Sequence, residues 1–181
     1  DAAPLYELAA VEQQHSDLVY FRLAALAYQQ KQLDRSEACL QQAVRLNPQN
    51  AEYHYTLARV LREREALGPA EASLRAALAL DPDYLEAWIS LGNLLRAIGR
   101  ANEAEACQRR ALSLAPNSAE ATINLGNVLL ASGREEEAAA CYRRGIELNP
   151  SAPEAHYNLG RILLEAGDRD SASLCFRRAL R

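Results

Sequence analysis

Apolar and small residues recur with helical spacing in the middle of the chain. Trp88, Leu91, Gly92 and Leu95 follow an i, i+3, i+4, i+7 pattern, which places them on one face of an α-helix. Gly99 comes after this stripe, and glycine readily adopts the left-handed conformation in which many helices end. The pattern therefore predicts an amphipathic helix that ends near Gly99.

A second apolar stripe follows this turn. Ala104, Ala111 and Leu112 share one helix face, and Pro116 stops the helix because proline cannot continue the hydrogen-bond ladder. Helices this short are marginal in isolation. Each must bury its stripe against its partner and against a neighbouring hairpin. The sequence predicts a helical hairpin that is stable only within a stack.

The hairpin recurs every 34 residues. This interval separates the prolines Pro48, Pro82, Pro116 and Pro150. It also separates the leucines Leu23, Leu57, Leu91, Leu125 and Leu159, each followed by alanine or glycine. Such periodicity is the sequence signature of a repeat architecture. We place the repeats at 17–50, 51–84, 85–118, 119–152 and 153–181.

Residues 1–16 continue the same phase. Ala2, Tyr6 and Ala9 stand where a second helix carries alanine, an aromatic residue and alanine. We therefore interpret 1–16 as the second helix of a preceding, truncated repeat, which makes about eleven helices in all. Since Asp1 opens a sequence without methionine, we expect a piece of a longer protein.

Two repeats lack the glycine that ends the first helix. Lys31 and Glu65 occupy its place, and Gly68 and Pro69 follow Glu65 closely. Proline suits the first turn of a helix. We expect a slightly altered turn in the second repeat, with no change of register.

The repeat resembles the tetratricopeptide family, whose 34-residue unit carries tryptophan, Leu-Gly, later alanines and a proline. The residues that carry this resemblance are Trp88, Leu91, Gly92, Ala104, Ala111, Pro116, Leu125, Gly126, Ala138 and Pro150. The resemblance covers nearly the whole chain. It implies an all-α fold, a right-handed α-solenoid of antiparallel helix pairs that forms one continuous domain.

Two positions bear on packing between the paired helices. Gly126 is predicted to face a neighbouring helix with no room for a side chain. Gln108 stands where the family usually has an aromatic residue, so we expect a weaker contact there.

The resemblance also implies a concave groove lined by the first helices. The short side-chain amide of asparagine can both donate and accept hydrogen bonds. Asparagines repeated along the groove could therefore hold the backbone of an extended peptide. The predicted groove residues are Asn93, Asn124, Asn127, Asn158, Arg59, Arg62, Arg96 and Arg161. The alternative interpretation is that these asparagines contribute solubility and form hydrogen bonds between repeats. We predict that Ala substitution of both Asn124 and Asn158 weakens a peptide ligand.

Two groove chemistries of the family can be compared with this sequence. A lysine-rich clamp for a terminal carboxylate is not expected, because Phe21, Tyr55, Ile89 and Ile123 fill the place of its first lysine. The asparagine ladder is more similar to the helical arm of O-linked N-acetylglucosamine transferases and their bacterial relatives.

Composition and charge limit the classes of function that this sequence can have. The net charge of −4 argues against nucleic acid, which requires a basic footprint. No apolar run approaches the roughly 18 residues needed to cross a membrane, so we expect no membrane insertion. Arginine pairs on the second helices are interpreted as a solvated outer face: Arg109 and Arg110, Arg143 and Arg144, Arg177 and Arg178.

Candidate chemistry is sparse. Cys39, Cys107, Cys141 and Cys175 share one repeat position, and their expected separation exceeds the reach of a disulfide. We interpret them as free apolar residues, a pattern that favours a reducing, cytoplasmic compartment. His54 and His156 stand at the position of Trp88 and are interpreted as packing residues. No catalytic motif, metal set or cofactor site is expected.

Three hypotheses for function remain open. The first is a scaffold that binds a protein or peptide in the groove. The second is the substrate-targeting arm of a larger enzyme such as a glycosyltransferase. The third is end-to-end self-association.

Overall fold

The computed structural model describes residues 16–180, which form ten α-helices and contain no strand. The first helices of the five pairs are α1 (Asp17–Gln29), α3 (Ala51–Glu63), α5 (Leu85–Ala97), α7 (Ala119–Ala131) and α9 (Pro153–Glu165). The second helices are α2 (Leu33–Leu46), α4 (Leu67–Leu80), α6 (Ala101–Leu114), α8 (Glu135–Leu148) and α10 (Arg169–Ala179). The predicted all-α class of paired helices is confirmed, and the leading helix predicted in 1–16 lies almost wholly outside the described residues.

Two residues beyond the end of each first helix stands a residue with left-handed backbone. Gly99, Gly133 and Gly167 adopt positive φ, and so do Lys31 at 59° and Glu65 at 60°. The turn after Glu65 is closed by Ala66 N–H donating to the Leu61 carbonyl at 2.9 Å, just as Arg100 donates to Leu95 in the next repeat at 2.9 Å. Glu65 thus accepts the conformation of glycine, and the turn differs from that of the third repeat by one added hydrogen bond, from Leu67 N–H to the Glu65 carbonyl at 3.0 Å. The register is unchanged.

The recurring prolines end the second helices. Pro48 lies two residues beyond the end of α2, and Pro150 two residues beyond the end of α8. Without an amide hydrogen, proline cannot extend a helix. The next helix then begins with a capped turn at some repeats: the Asn50 side chain accepts a hydrogen bond from Glu52 N–H at 3.0 Å, which satisfies one of the exposed N-terminal donors.

The described residues fall into two compact units, the first ending at Ala87 and the second beginning at Trp88. In the first unit α1 packs on α2, α2 on α3, and α3 on α4. Its buried core includes Leu40, Leu57 and Leu74. Phe21 and Tyr53 stack with ring centroids 4.8 Å apart, so aromatic contact joins α1 to α3.

The second unit is built in the same way. Helix α6 packs on α7, α7 on α8, α8 on α9, and α9 on α10. Its apolar core is centred on Leu129, Tyr142 and Leu159. Burial of such side chains contributes about 1.5–3 kcal/mol each, and this packing stabilises helices too short to persist alone.

The small residues of the signature let paired helices approach closely. A Cβ added at Gly126 would lie 2.8 Å from a ring carbon of Tyr142, and one added at Gly160 would lie 2.9 Å from a ring carbon of Phe176. Gly92 faces Gln108 in the same way. Gln108 is fully buried and donates to the Ile89 carbonyl at 3.2 Å, so an amide replaces the usual ring in this repeat.

Candidate functional site

The predicted asparagines do not form a uniform ladder. Asn127 is buried on α7 and uses both ends of its amide: Nδ2 donates to Oε1 of Glu154 at 2.9 Å, and Oδ1 accepts from Nδ2 of Asn158 at 3.0 Å. The hydroxyl of Tyr142 also donates to Oδ1 of Asn127, at 2.8 Å. This network ties α7, α8 and α9 together, which matches hydrogen bonding between repeats, the alternative to a ligand role.

The other two asparagines are half-buried. Oδ1 of Asn93 accepts a hydrogen bond from Nε2 of Gln108 at 3.4 Å. Nδ2 of Asn124 is buried and has no partner among residues 16–180. A role for Asn124 and Asn158 in holding a ligand stays a prediction.

The predicted arginines differ in their pairing. Arg161 on α9 lies 3.7 Å from Glu165 one turn later. At the equivalent place on α3, Glu63 instead lies 3.7 Å from Lys31, and among the described residues no carboxylate pairs with Arg59. Arg62 and Arg96 are exposed in the last turns of α3 and α5.

Aromatic rings hold the guanidinium of Arg59. Its central carbon lies 5.8 Å from the ring centroid of Tyr28 and 5.9 Å from that of Tyr55. The ring of Tyr55 packs against that of Tyr84 at a tilt of 44°, with centroids 4.9 Å apart. Burial raises the pKa of the Tyr84 phenol to about 12. The cation is therefore positioned by cation–π attraction rather than by an ion pair.

A cavity of about 250 Å³ lies between α1 and α3, beside Arg59. The rings of Phe21 and Tyr28 form part of its wall, and Glu52 lies at the opposite end of the α3 side. The remaining lining is Ala24, Ala25, Gln29, Ser36, Thr56 and Val60. Seven residues separate Glu52 from Arg59, which is about 10 Å along a helix. The cavity is therefore lined by a hydrogen-bond acceptor, Glu52, by aromatic rings and by a cationic donor, Arg59.

Arg59 was predicted from the sequence as a groove residue, but this cavity was not. Two features of the sequence could have indicated it. One repeat position holds Phe21 and Tyr55 in the first two repeats but Ile89 and Ile123 in the next two, and the neighbouring Ala25 is small. What periodicity does not reveal is that a small side chain on α1 leaves a space beside the rings.

Histidines connect two of the first helices, α3 and α9, to the loops before them. Nε2 of His54 donates to the Pro48 carbonyl at 2.9 Å, and Nε2 of His156 donates to the Pro150 carbonyl at 2.9 Å. Both rings stand six residues after the proline, which accounts for a hydrogen-bonding residue at the position of Trp88. This supports their interpretation as packing residues.

All four cysteines are free thiols. Burial raises the pKa of the thiols of Cys39, Cys141 and Cys175, so they are poor nucleophiles near neutral pH. No group of three or more potential metal ligands occurs in residues 16–180.

Charged side chains on the second helices, and Arg134 just before α8, pair with one another. Arg134 contacts Glu105 at 2.8 Å and Glu137 at 2.7 Å. Arg109 also contacts Glu105, at 2.7 Å, and Arg144 contacts Glu147 at 3.0 Å. These pairs support the interpretation of the arginine-rich second helices as a solvated face.

A second apolar cavity, of about 450 Å³, lies on α9 and α10. It is lined by Pro153, Glu154, Tyr157, Phe176, Ala179 and Leu180. Tyr157 is 52% exposed and Leu180 88% exposed, so this surface presents apolar area to solvent.

None of the helices described is both long enough and apolar enough to span a bilayer.

Comparison with known structures shows the same fold. YrrB, described as "a TPR protein with an unusual peptide-binding site", is 23% identical, with a TM-score of 0.77 over 97% of this chain and 90% of that one. MamA from Desulfovibrio magneticus RS-1 is 18% identical, with a TM-score of 0.82 over 91% and 93%. PilF from Pseudomonas aeruginosa is 22% identical, with a TM-score of 0.82 over 91% and 75%.

Comparison with protein families identifies the repeats themselves. The tetratricopeptide repeat matches residues 21–84 and again residues 85–118, and the TPR repeat matches residues 126–167. No curated protein matches the sequence. The matches extend over most of the chain and agree with the period, the paired helices and the close glycine contacts: this protein belongs to the tetratricopeptide repeat family.

Proposed function

We propose that this protein is an interaction scaffold that binds an extended peptide segment of another protein on α1 and α3, two first helices of its first unit. The cavity between α1 and α3 would anchor the peptide, and Arg59 would contact the peptide beside it. The observation that carries the proposal is the Arg59 guanidinium, which lies over two rings and has no carboxylate partner among residues 16–180.

The unpaired state of Arg59 leaves donors for a ligand. A guanidinium presents five N–H donors in a fixed plane, which suit peptide carbonyl and carboxylate oxygens. Cation–π attraction to Tyr28 and Tyr55 would favour this placement of the side chain and so reduce the conformational entropy lost on binding. Arg161 occupies the same repeat position but already pairs with Glu165.

The size of the cavity favours a peptide over a cofactor. Pockets for small molecules and cofactors occupy about 300–1,000 Å³, whereas this cavity holds about 250 Å³. One side chain would enter it, with the flanking backbone outside. The peptide-binding site for which YrrB is described makes a peptide ligand a reasonable choice for this chain as well.

The test uses a random peptide library displayed on phage and panned against the full chain. Enriched peptides are synthesised, and their dissociation constants are measured by fluorescence anisotropy. Loss of a charge-assisted hydrogen bond should make Arg59→Ala bind about tenfold more weakly or worse. Arg161→Ala is the matched control, with Arg143→Ala and Arg144→Ala as a second-helix control.

Several outcomes would contradict the proposal. Failure to enrich any peptide would do so, as would peptides that bind Arg59→Ala as tightly as wild type. Loss of binding in the Arg143→Ala, Arg144→Ala variant alone would move the site to the second helices.

Self-association is a second candidate, supported by the exposed apolar surface around Tyr157 and Leu180. Light scattering over a wide concentration range, on wild type and on Tyr157→Glu, would detect it. A constant monomer mass would exclude it. The targeting-arm hypothesis stays a prediction, which the neighbouring sequence in the parent protein would test.

A further inference from the structure

Three repeat positions share a glutamate in the two units but differ at the other two residues. In the second unit they are Asn127, Glu154 and Asn158, which are joined by hydrogen bonds of 2.9 and 3.0 Å. Three repeats earlier in the sequence, the same positions hold Ala25, Glu52 and Thr56, and all three line the cavity between α1 and α3.

The cavity therefore lies where the Asn127 carboxamide would be. Ala25 ends at Cβ and cannot reach across to α3. Among residues 16–180 no hydrogen bond or ion pair satisfies the Glu52 carboxylate or the Thr56 hydroxyl. The acceptor that holds Asn127 in the second unit is thus present in the first unit, without its donor.

We propose that this cavity recognises a carboxamide side chain, glutamine or asparagine, of the bound peptide. The amide N–H₂ donates to the Glu52 carboxylate, and the amide oxygen accepts from the Thr56 hydroxyl, as the Asn127 oxygen accepts from Asn158. This inference rests on the proposed function, since it names the residue that enters the same cavity.

The chemistry of the lining selects a carboxamide over other side chains. The Glu52 carboxylate can accept a hydrogen bond and the Thr56 hydroxyl can donate one, and a carboxamide carries a matching donor and acceptor on one planar group. A carboxylate could pair with Arg59 but has no N–H to donate to Glu52. A lysine would offer no acceptor and would approach the cation of Arg59. The rings of Phe21 and Tyr28 can pack on the methylene groups, which favours glutamine.

The decisive variant is Ala25→Asn, which reproduces the arrangement of the second unit and should fill the cavity from within. Its matched control is Ala38→Asn, at an exposed alanine on α2, because both changes cost similar helix propensity. Circular dichroism and urea midpoints establish that both variants fold. The probe is the set of peptides enriched from the phage library on the full wild-type chain.

The expected result is a shared glutamine or asparagine among the enriched peptides. Replacing it by glutamate or methionine should weaken binding fivefold or more. Ala25→Asn should weaken the same peptides tenfold or more, and Ala38→Asn should not.

Other results separate this inference from the proposed function. Peptides that lose affinity for the Ala25→Asn variant but share no carboxamide would overturn the recognition of a carboxamide. The cavity would then remain the peptide-binding site. Peptides unaffected by Ala25→Asn would overturn the cavity as the site of recognition. A library that yields no binder would overturn both.

Discussion

The hydroxyl of Tyr142 on α8 donates a 2.8 Å hydrogen bond to Oδ1 of Asn127 on α7. Both side chains are buried, and Asn127 extends the connection to Glu154 and Asn158 on α9. One amide thereby joins both helices of a repeat to the first helix of the next. A polar network that is satisfied in this way can fix how neighbouring repeats pack.

The first prediction concerns this network. Asn127→Ala leaves the buried Tyr142 hydroxyl and the Glu154 carboxylate without their partner, and should lower the free energy of unfolding by roughly 1–3 kcal/mol. Urea denaturation would measure the loss. In a double-mutant cycle with Tyr142→Phe, the two effects should be less than additive. Full additivity would show that the two side chains do not act together.

The second prediction concerns close approach of paired helices. Gly126→Leu should lower the free energy of unfolding by ~1–3 kcal/mol, because its Cβ would meet both the Tyr142 ring and, at 3.2 Å, the Cβ of Cys141. Gly68→Leu is the matched control, since nothing lies within 4 Å of a Cβ added there. Equal denaturant midpoints for the two variants would contradict the packing assignment.

The third prediction concerns the turn after α3. Glu65 adopts φ of 60°, a conformation that strains residues with a Cβ. Glu65→Gly should therefore raise the free energy of unfolding by about 0.5–1 kcal/mol, after the larger chain entropy of glycine is included. Thermal unfolding would show a higher midpoint. Gly99→Ala, at the equivalent turn, should lower it, and the same sign for both variants would refute backbone strain at Glu65.

The fourth prediction concerns alkaline pH. Because burial raises the pKa of Cys39, Cys141 and Cys175, the folded chain keeps these protons to higher pH than the unfolded chain. Their contribution to stability is complete below the unfolded thiol pKa of about 8.5 and is lost as pH rises through the folded values. Urea midpoints should fall above about pH 9.

Serine variants provide the control for this effect, because Ser73 already stands at the same repeat position. Replacing Cys39, Cys141 and Cys175 by serine should reduce the alkaline loss. An unchanged pH profile would contradict the assignment. A mass measured without reductant should also retain all four thiol protons of the monomer.

Much of this architecture follows from the sequence alone. The 34-residue period located the helices, because each hairpin must present its apolar stripe at the same interval to stack on its neighbours. Gly99 and Pro116 marked helix ends, because their backbone constraints act locally. Gly126 was correctly predicted to face a neighbouring helix, because a small residue repeated beside each core leucine lets a second helix come close.

Only the tertiary structure decided what the polar side chains do. Asn127 and Arg59 occupy the same position in their repeats, yet the first is buried in hydrogen bonds and the second lies over two rings without a carboxylate partner among residues 16–180. That difference depends on residues of adjacent helices: Tyr142 donates a hydrogen bond to Asn127, whereas Tyr28 offers its ring to Arg59. Periodicity fixes which face a side chain occupies, whereas contacts across helices determine whether it stabilises the fold or remains free to bind.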